Sequence, residues 1–169
     1  MSVPQAPLDD GSPAGPGWFV VNLDGAPAGT HERAGIWTEL DTREAPFEDY
    51  GINVHVVQPG QANAMYHAEN RQEDFLVLHG ECVAIIEDTE QHLRTWDFVH
   101  CPRGTRHVFV GAGDGPCAIL MAGARPSDAE YPPSDLAAKY GASAADPANP
   151  YAGWEGGGGT GRFSWPPAR

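Results

Sequence analysis

From Gly35 to Met121 the chain is never apolar for more than a few residues at a time. Gly35-Ile-Trp-Thr-Glu-Leu40, Ile52-Asn-Val-His-Val-Val57, Phe75-Leu-Val-Leu78 and Cys82-Val-Ala-Ile-Ile86 are followed by His92-Leu-Arg-Thr95, Phe98-Val-His100, His107-Val-Phe-Val110 and Ala118-Ile-Leu-Met121. Each run is short and rich in β-branched or aromatic residues, which suit a half-buried pleated surface. Between them lie Gly60 after a proline, Gly80, the polar stretch Glu87-Asp-Thr-Glu90, Pro102-Arg-Gly104 and Gly111-Ala-Gly-Asp-Gly-Pro116, all strong turn signals. Short strands at near-even spacing predict an all-β sandwich or barrel, and no alternation of strands with helices competes.

With 169 residues, 41% of them hydrophobic, the chain can build one packed domain and not two comfortable ones. The 21 glycines and 16 prolines leave room for few helices. One helix is predicted near residues 135–140: Ser134 can cap it, Asp135 suits its first turn, and Gly141 suits the position just past its end. Residues 1–16, proline-rich with little apolar content, read as a flexible or loosely draped arm. Ordered structure begins at Trp18-Phe-Val-Val-Asn-Leu23, so the barrel is assigned to residues 17–125 and a C-terminal extension to 126–169. Tyr151, Trp154, Phe163 and Trp165 punctuate that extension, and a tail with four aromatics is expected to dock, on the barrel or on a partner subunit.

A formal charge of −13, with Lys139 the single lysine, repels a phosphate backbone and excludes nucleic-acid binding. Cys82, Cys101 and Cys117 form no C-x-x-C pair and read as reduced thiols in strands, which fits a reducing compartment. The N-terminus shows neither a basic region nor a long apolar stretch, so no secretory signal is expected. The longest apolar run, Cys117 to Ala122, falls far short of the roughly 20 residues a membrane helix needs. A soluble, cytoplasmic protein with no membrane partner is the expectation.

The chemistry concentrates in His67-Ala-Glu69-Asn-Arg-Gln-Glu73 and in His107 of Pro102-Arg-Gly104-Thr-Arg-His107. Two imidazoles with one or two carboxylates can hold a divalent first-row metal and leave a position open. On a strand, residues 67 and 69 share a face. Two carboxylates confined together raise one another's pKa unless a cation lies between them. Nothing resembles a nucleophile elbow, a phosphate loop or a zinc-binding H-E-x-x-H helix.

These residues also carry a family resemblance. His67-x-Glu69-x-x-x-Glu73, with six residues to Gly80, resembles the first motif of the cupin superfamily, and Asp97-Phe-Val-His-Cys-Pro102-Arg-Gly104-Thr-Arg-His107 resembles the second. The resemblance spans about residues 50 to 123. It implies a double-stranded β-helix, or jelly-roll, barrel of the small single-domain type, with one short C-terminal helix and an irregular aromatic tail outside it. It implies one divalent transition metal (Fe, Mn, Zn or Ni) held by His67, position 69, Glu73 and His107. Position 69 departs from the family in being Glu rather than His, so Glu69 is either a ligand or the catalytic base. Counting from Gly60 would instead place Tyr66 and Ala68 at the ligand positions, where they cannot make such a site. The register fixed by Glu73 and Gly80 is preferred.

Among the other candidates, Gln72 is an amide oxygen donor or a surface residue, and His79 shares strand parity with Glu73. His55, His92 and His100 read as ordinary strand residues, Tyr66 and Trp96 as packing residues, and His31 sits in a loop without signal. The functional expectation is a small metal-binding cupin that works as a metal-dependent enzyme of isomerase, lyase or dioxygenase type on a small molecule inside the barrel. The alternatives are a non-catalytic small-ligand-binding cupin or an assembly module. The resemblance also implies a homodimer, with the segment Trp18 to Leu23 as the strand exchanged at the barrel edge.

Overall fold

Strand alternation sorts the side chains into an inner and an outer set. The computed structural model describes residues 2–165. Its strands are β1 (Leu8–Asp9), β2 (Ser12–Pro13), β3 (Pro27–His31), β4 (Gly35–Thr38), β5 (Tyr50–Val57), β6 (Ala68–Glu69), β7 (Glu73–His79), β8 (Glu81–Ile86), β9 (Thr89–Arg94), β10 (Phe98–Cys101), β11 (His107–Ala112), β12 (Cys117–Ala124), β13 (Ala129–Glu130) and β14 (Gly158–Arg162), with helix α1 at Asp135–Ala138. A seven-stranded sheet runs β10-β7-β12-β5-β4-β3-β14, and a three-stranded sheet β11-β8-β9 faces it. The pairings are antiparallel throughout these two sheets. This is the all-β double-stranded β-helix expected of the sequence.

The core fills the space between the sheets. Phe75 and Val77 of β7 and Cys117, Ile119 and Met121 of β12 meet Cys82 and Ala84 of β8 and Phe109 of β11. The residues between them on each strand point outward and are covered in turn. Val83, Ile85, Val108 and Val110 back the small sheet and receive Ala137 from α1. Val54, Val56 and Ala118 back the large sheet and receive Phe163, with Trp165 packed beside it. A two-residue period thus serves two layers at once, which is why these strands read as nearly continuous apolar runs.

Turns fix the register. Gly80, at φ +76°, joins β7 to β8, and a Cβ there would lie 2.4 Å from the Pro116 carbonyl oxygen. Glu87 and Asp88 both take positive φ between β8 and β9, a geometry that matches strand twist in two-residue hairpins. The turn is held from outside: the Glu87 carboxylate accepts from the Arg106 backbone N–H, and the Tyr66 hydroxyl accepts from the Asp88 N–H at 3.0 Å. Trp96 departs from the packing role expected of it. It occupies the tight β9–β10 turn at φ +76° and is 73% exposed.

Helix α1 starts where expected, with the Ser134 hydroxyl accepting from Ala137 N–H at 3.0 Å, but it ends at Ala138 rather than 140. Residues 139–142 unwind through Gly141, at φ +67°, to an Ala142 N–H bond with the Ala137 carbonyl. The tail docks on its own barrel: β14 pairs with β3, and Phe163 is buried. At the other end, β1 and β2 form a small hairpin, and Asp10 pairs with Arg162 of β14. Trp18-Phe-Val-Val-Asn-Leu23 is not a strand. Only Trp18 bridges, to Gln5, while Leu23 packs under the tail. No helix is long and apolar enough to cross a membrane among the described residues.

Candidate metal centre

His67 and His107 are direct cross-strand partners. The His67 N–H donates to the His107 carbonyl at 3.1 Å and the His107 N–H to the His67 carbonyl at 2.7 Å. Paired side chains of an antiparallel bridge stand on one face, and the two imidazoles lie 4.7 Å apart between ring centres. Glu73 opens β7 in the opposite sheet, between Cys101 and Gly123, and points inward by the same parity as Phe75 and Val77. One ligand atom each from His67, Glu73 and His107 falls within 4.8 Å of the others. The trio therefore joins the two sheets at one end of the barrel. Tyr66, the alternative ligand position, is fully buried on the outer face behind the small sheet, as the register fixed by Glu73 and Gly80 requires.

The protonation pattern leaves donor atoms free there. The His67 Nδ1–H donates to the Met65 carbonyl at 2.7 Å and the His107 Nδ1–H to the Thr105 carbonyl at 3.0 Å. A ring nitrogen facing a carbonyl must carry the proton, so both Nε2 lone pairs are left free. Burial holds both imidazoles below their ordinary range, His107 at about 4. Burial, with the Glu69 carboxylate nearby, pushes Glu73 up to about 8. His107 Nε2 and Glu73 Oε2 stand 3.4 Å apart. Two lone-pair atoms hold that separation with a proton or a cation between them, and the donor set of two neutral imidazoles and one carboxylate suits a divalent first-row metal. The backbone carbonyls on the remote ring nitrogens orient both rings as they do in metal sites. Cys101, beside Glu73, does not compete: burial, with Glu73 and Asp74 close by, pushes its thiol up to about 12.

Glu69 stands beside the trio without joining it. Its carboxylate lines the same cavity and accepts from the Ser127 hydroxyl. Gln72 turns away, donating to Asp74 at 2.6 Å. His79, despite its parity, follows an irregularity in the β7–β12 pairing and lies edge-on to Trp165. His92 is exposed on β9, and His100 is bonded to Asp74 at the surface.

Two further polar side chains line the cavity, and the sequence offers no motif for either. The cavity, about 700 Å³, reaches from the trio past Asn53 and His55 to Trp37. His55 is 6% exposed and its Nε2–H donates to the Ala34 carbonyl at 2.6 Å. Its parity on β5, inward with Asn53 and Val57, was the available signal. Asn53 carries the one buried side-chain oxygen without a hydrogen-bond partner among the described residues.

Burial holds His55 at about 4 against an ordinary 6.5. The native state therefore binds fewer protons than the unfolded chain below pH 6.5. Stability should be unaffected by this group above that pH and decline as pH falls to about 4, by an amount on the order of 3 kcal/mol. In urea titrations from pH 7 to 4, His55→Gln should lose stability less steeply than wild type by up to one proton's slope. Parallel curves would mean that His55 does not titrate in this way.

Residues 53–123 match the cupin domain family. No curated protein sequence matches the chain. Among solved structures, a candidate sugar phosphate isomerase from Acidithiobacillus ferrooxidans is 25% identical over 50% of this chain and 57% of its own length, with a TM-score of 0.48. A sugar phosphate isomerase of the cupin superfamily from Silicibacter pomeroyi is 19% identical over 73% of each chain, TM-score 0.48. The polyketide cyclase RemF from Streptomyces resistomycificus is 18% identical over 54% of this chain and 68% of its own, TM-score 0.47.

Proposed function

We propose, from the premise that this barrel is a cupin domain, that the chain holds one divalent transition metal on His67, Glu73 and His107 and acts on a small molecule bound in the barrel. The observation that carries this is the convergence of two lone-pair imidazole nitrogens and one carboxylate at the floor of a cavity large enough for a small ligand. When bound, such a metal supplies Lewis-acid polarisation of a carbonyl or hydroxyl oxygen, or, as iron, a site for oxygen chemistry. The rest falls to the chain's own side chains. His67 and His107 are held in one tautomer by the Met65 and Thr105 carbonyls, so they arrive as neutral donors without rearrangement.

Glu69 is the carboxylate left over, close enough to Glu73 to raise its pKa and anchored by Ser127. In this reading it moves a proton on the substrate, the task of a general base within reach of the reacting atom. Phe75 lies against His107 at 5.0 Å, tilted by 57°, and Tyr131 stacks on His67, so an aromatic side chain covers each ring. Isomerase, lyase and dioxygenase chemistry all fit this arrangement. In this reading the barrel, assigned to residues 17–125, carries the centre, and Ser127 and Tyr131 of the C-terminal extension wall it.

Elemental analysis by plasma mass spectrometry on untagged full-length protein tests the reading. Near one equivalent of iron, manganese, nickel or zinc per chain is expected. Metal-free protein that stays metal-free after reconstitution with all four ions would sink it.

A further inference from the structure

A second cavity, about 520 Å³, opens off the first and shares Trp37, Asn53, His55 and Asn63 with it. Its remaining wall comes from outside the cupin domain: His31 on β3, and Tyr151 and Trp154 of the C-terminal extension. These side chains are set in place by specific contacts. The Trp37 indole lies over Gly29, where a Cβ would come within 2.3 Å of the ring, and leans on His55 at 5.5 Å. Across the cavity, Trp154 stacks on His31 at 5.0 Å and 16°. His31 is locked in turn: its Nδ1 accepts from the Arg33 N–H at 3.1 Å and its Nε2–H donates to the Trp154 carbonyl at 2.8 Å. Tyr151 lies edge-on to both Trp154 and Tyr131, and Tyr131 stacks on His67. A continuous aromatic wall therefore runs from the mouth to the proposed metal centre.

We infer that this second cavity is the binding subsite for a flat, neutral, unsaturated ring bearing a hydroxyl or N–H donor, held between Trp37 and the Trp154 face so that its polar end points toward the trio. Aromatic faces preferentially take up flat π-systems. The orphaned Asn53 Oδ1 sits where the two cavities meet, and a buried acceptor without a partner is satisfied by a donor on the ligand. Charge selects against an acid. Besides Glu73, the inner cavity is lined by Glu39, Asp41 and Glu69 against Arg125 alone, and Arg125 is paired with Asp41. Glu155 adds a further carboxylate at the outer cavity. The inference rests on the proposed metal centre only for the direction in which the ring's polar end points.

Calorimetric titration of the full chain with 2-naphthol, its saturated analogue decahydro-2-naphthol and the acid 2-naphthoate tests this. Saturable binding of 2-naphthol is expected, weaker by about tenfold for the saturated analogue and for the acid. Trp154→Ala should weaken 2-naphthol by about tenfold or more, and Trp154→Phe, which keeps an aromatic face, by only about threefold. Equal affinity for the saturated ring, or a Trp154→Ala protein that is folded by circular dichroism and binds as wild type does, overturns the subsite. So does an absence of 2-naphthol binding to wild type. Metal content of the same samples separates the two readings. Metal absent with Trp154-dependent binding supports the subsite and removes the centre, whereas metal present with Trp154-indifferent binding overturns the subsite and leaves the centre.

Discussion

His107→Ala is expected to purify without metal under conditions in which wild type retains about one equivalent, with an affinity lowered more than about 100-fold. Outer-sphere partners of metal-bound histidines already account for about 10–100-fold, and in the proposed centre His107 is one of the direct ligands, converging within 4.8 Å with His67 and Glu73. It is also the member that cannot be replaced locally, being 1% exposed with no other free donor on its strand facing the cavity. A second readout follows from linkage. A ligand present at about 100 times its Kd stabilises the native state by about 3 kcal/mol, so added metal should raise the melting temperature of wild type and leave that of His107→Ala unmoved. Metal retained by the variant at wild-type affinity would show that the trio is not the site. Glu69→Gln in the same assay separates a fourth ligand from a base: a ligand's loss lowers affinity, a base's loss leaves it intact.

The barrel was legible because its strands announce themselves in side chains. Every apolar run from Ile52 to Met121 became a strand, extended by up to three residues where backbone pairing outlasts hydrophobicity, as at Glu73 and Gly123. The strands that went unread are those whose pairing is carried by backbone alone. Pro27–His31 and Gly158–Arg162 have almost no β-branched or aromatic content, and they pair with each other across the chain's two ends. That pairing brings His31 to Trp154, so the missed strand and the missed aromatic wall have one cause. The trio was legible for the opposite reason, since imidazole and carboxylate at strand spacing have few other uses in a closed barrel. The sequence leaves Glu69 as ligand or base because the direction of its carboxylate depends on Ser127, fifty-eight residues away, which no local pattern encodes. His55 lies on a strand as expected, and that it faces Trp37 across β4 and β5 is a tertiary relation that no local pattern carries.

Phe109→Ala should be among the most destabilising single substitutions, and it should act on the proposed metal centre through the core. The side chain is fully buried at the junction of the two sheets, 4.5 Å from the Phe75 ring and edge-on to His107 at 5.9 Å. Its backbone is tied to Asn63, whose Oδ1 accepts the Phe109 N–H at 2.8 Å. Truncating a buried phenylalanine to alanine costs about 3–5 kcal/mol, a large part of the roughly 5–15 kcal/mol that holds a domain together. At this chain length that corresponds to a fall in melting temperature of about 6–20 °C. Phe109→Leu, which refills most of the volume, should cost less than about 2 kcal/mol. The two variants separate packing from positioning. If the Phe109 ring also props the His107 imidazole, then Phe109→Leu should remain nearly as stable as wild type yet bind metal measurably more weakly. A melting temperature for Phe109→Ala within about 2 °C of wild type would mean that the sheets do not meet through this residue, and the inner core described between β7, β12, β8 and β11 would have to be redrawn.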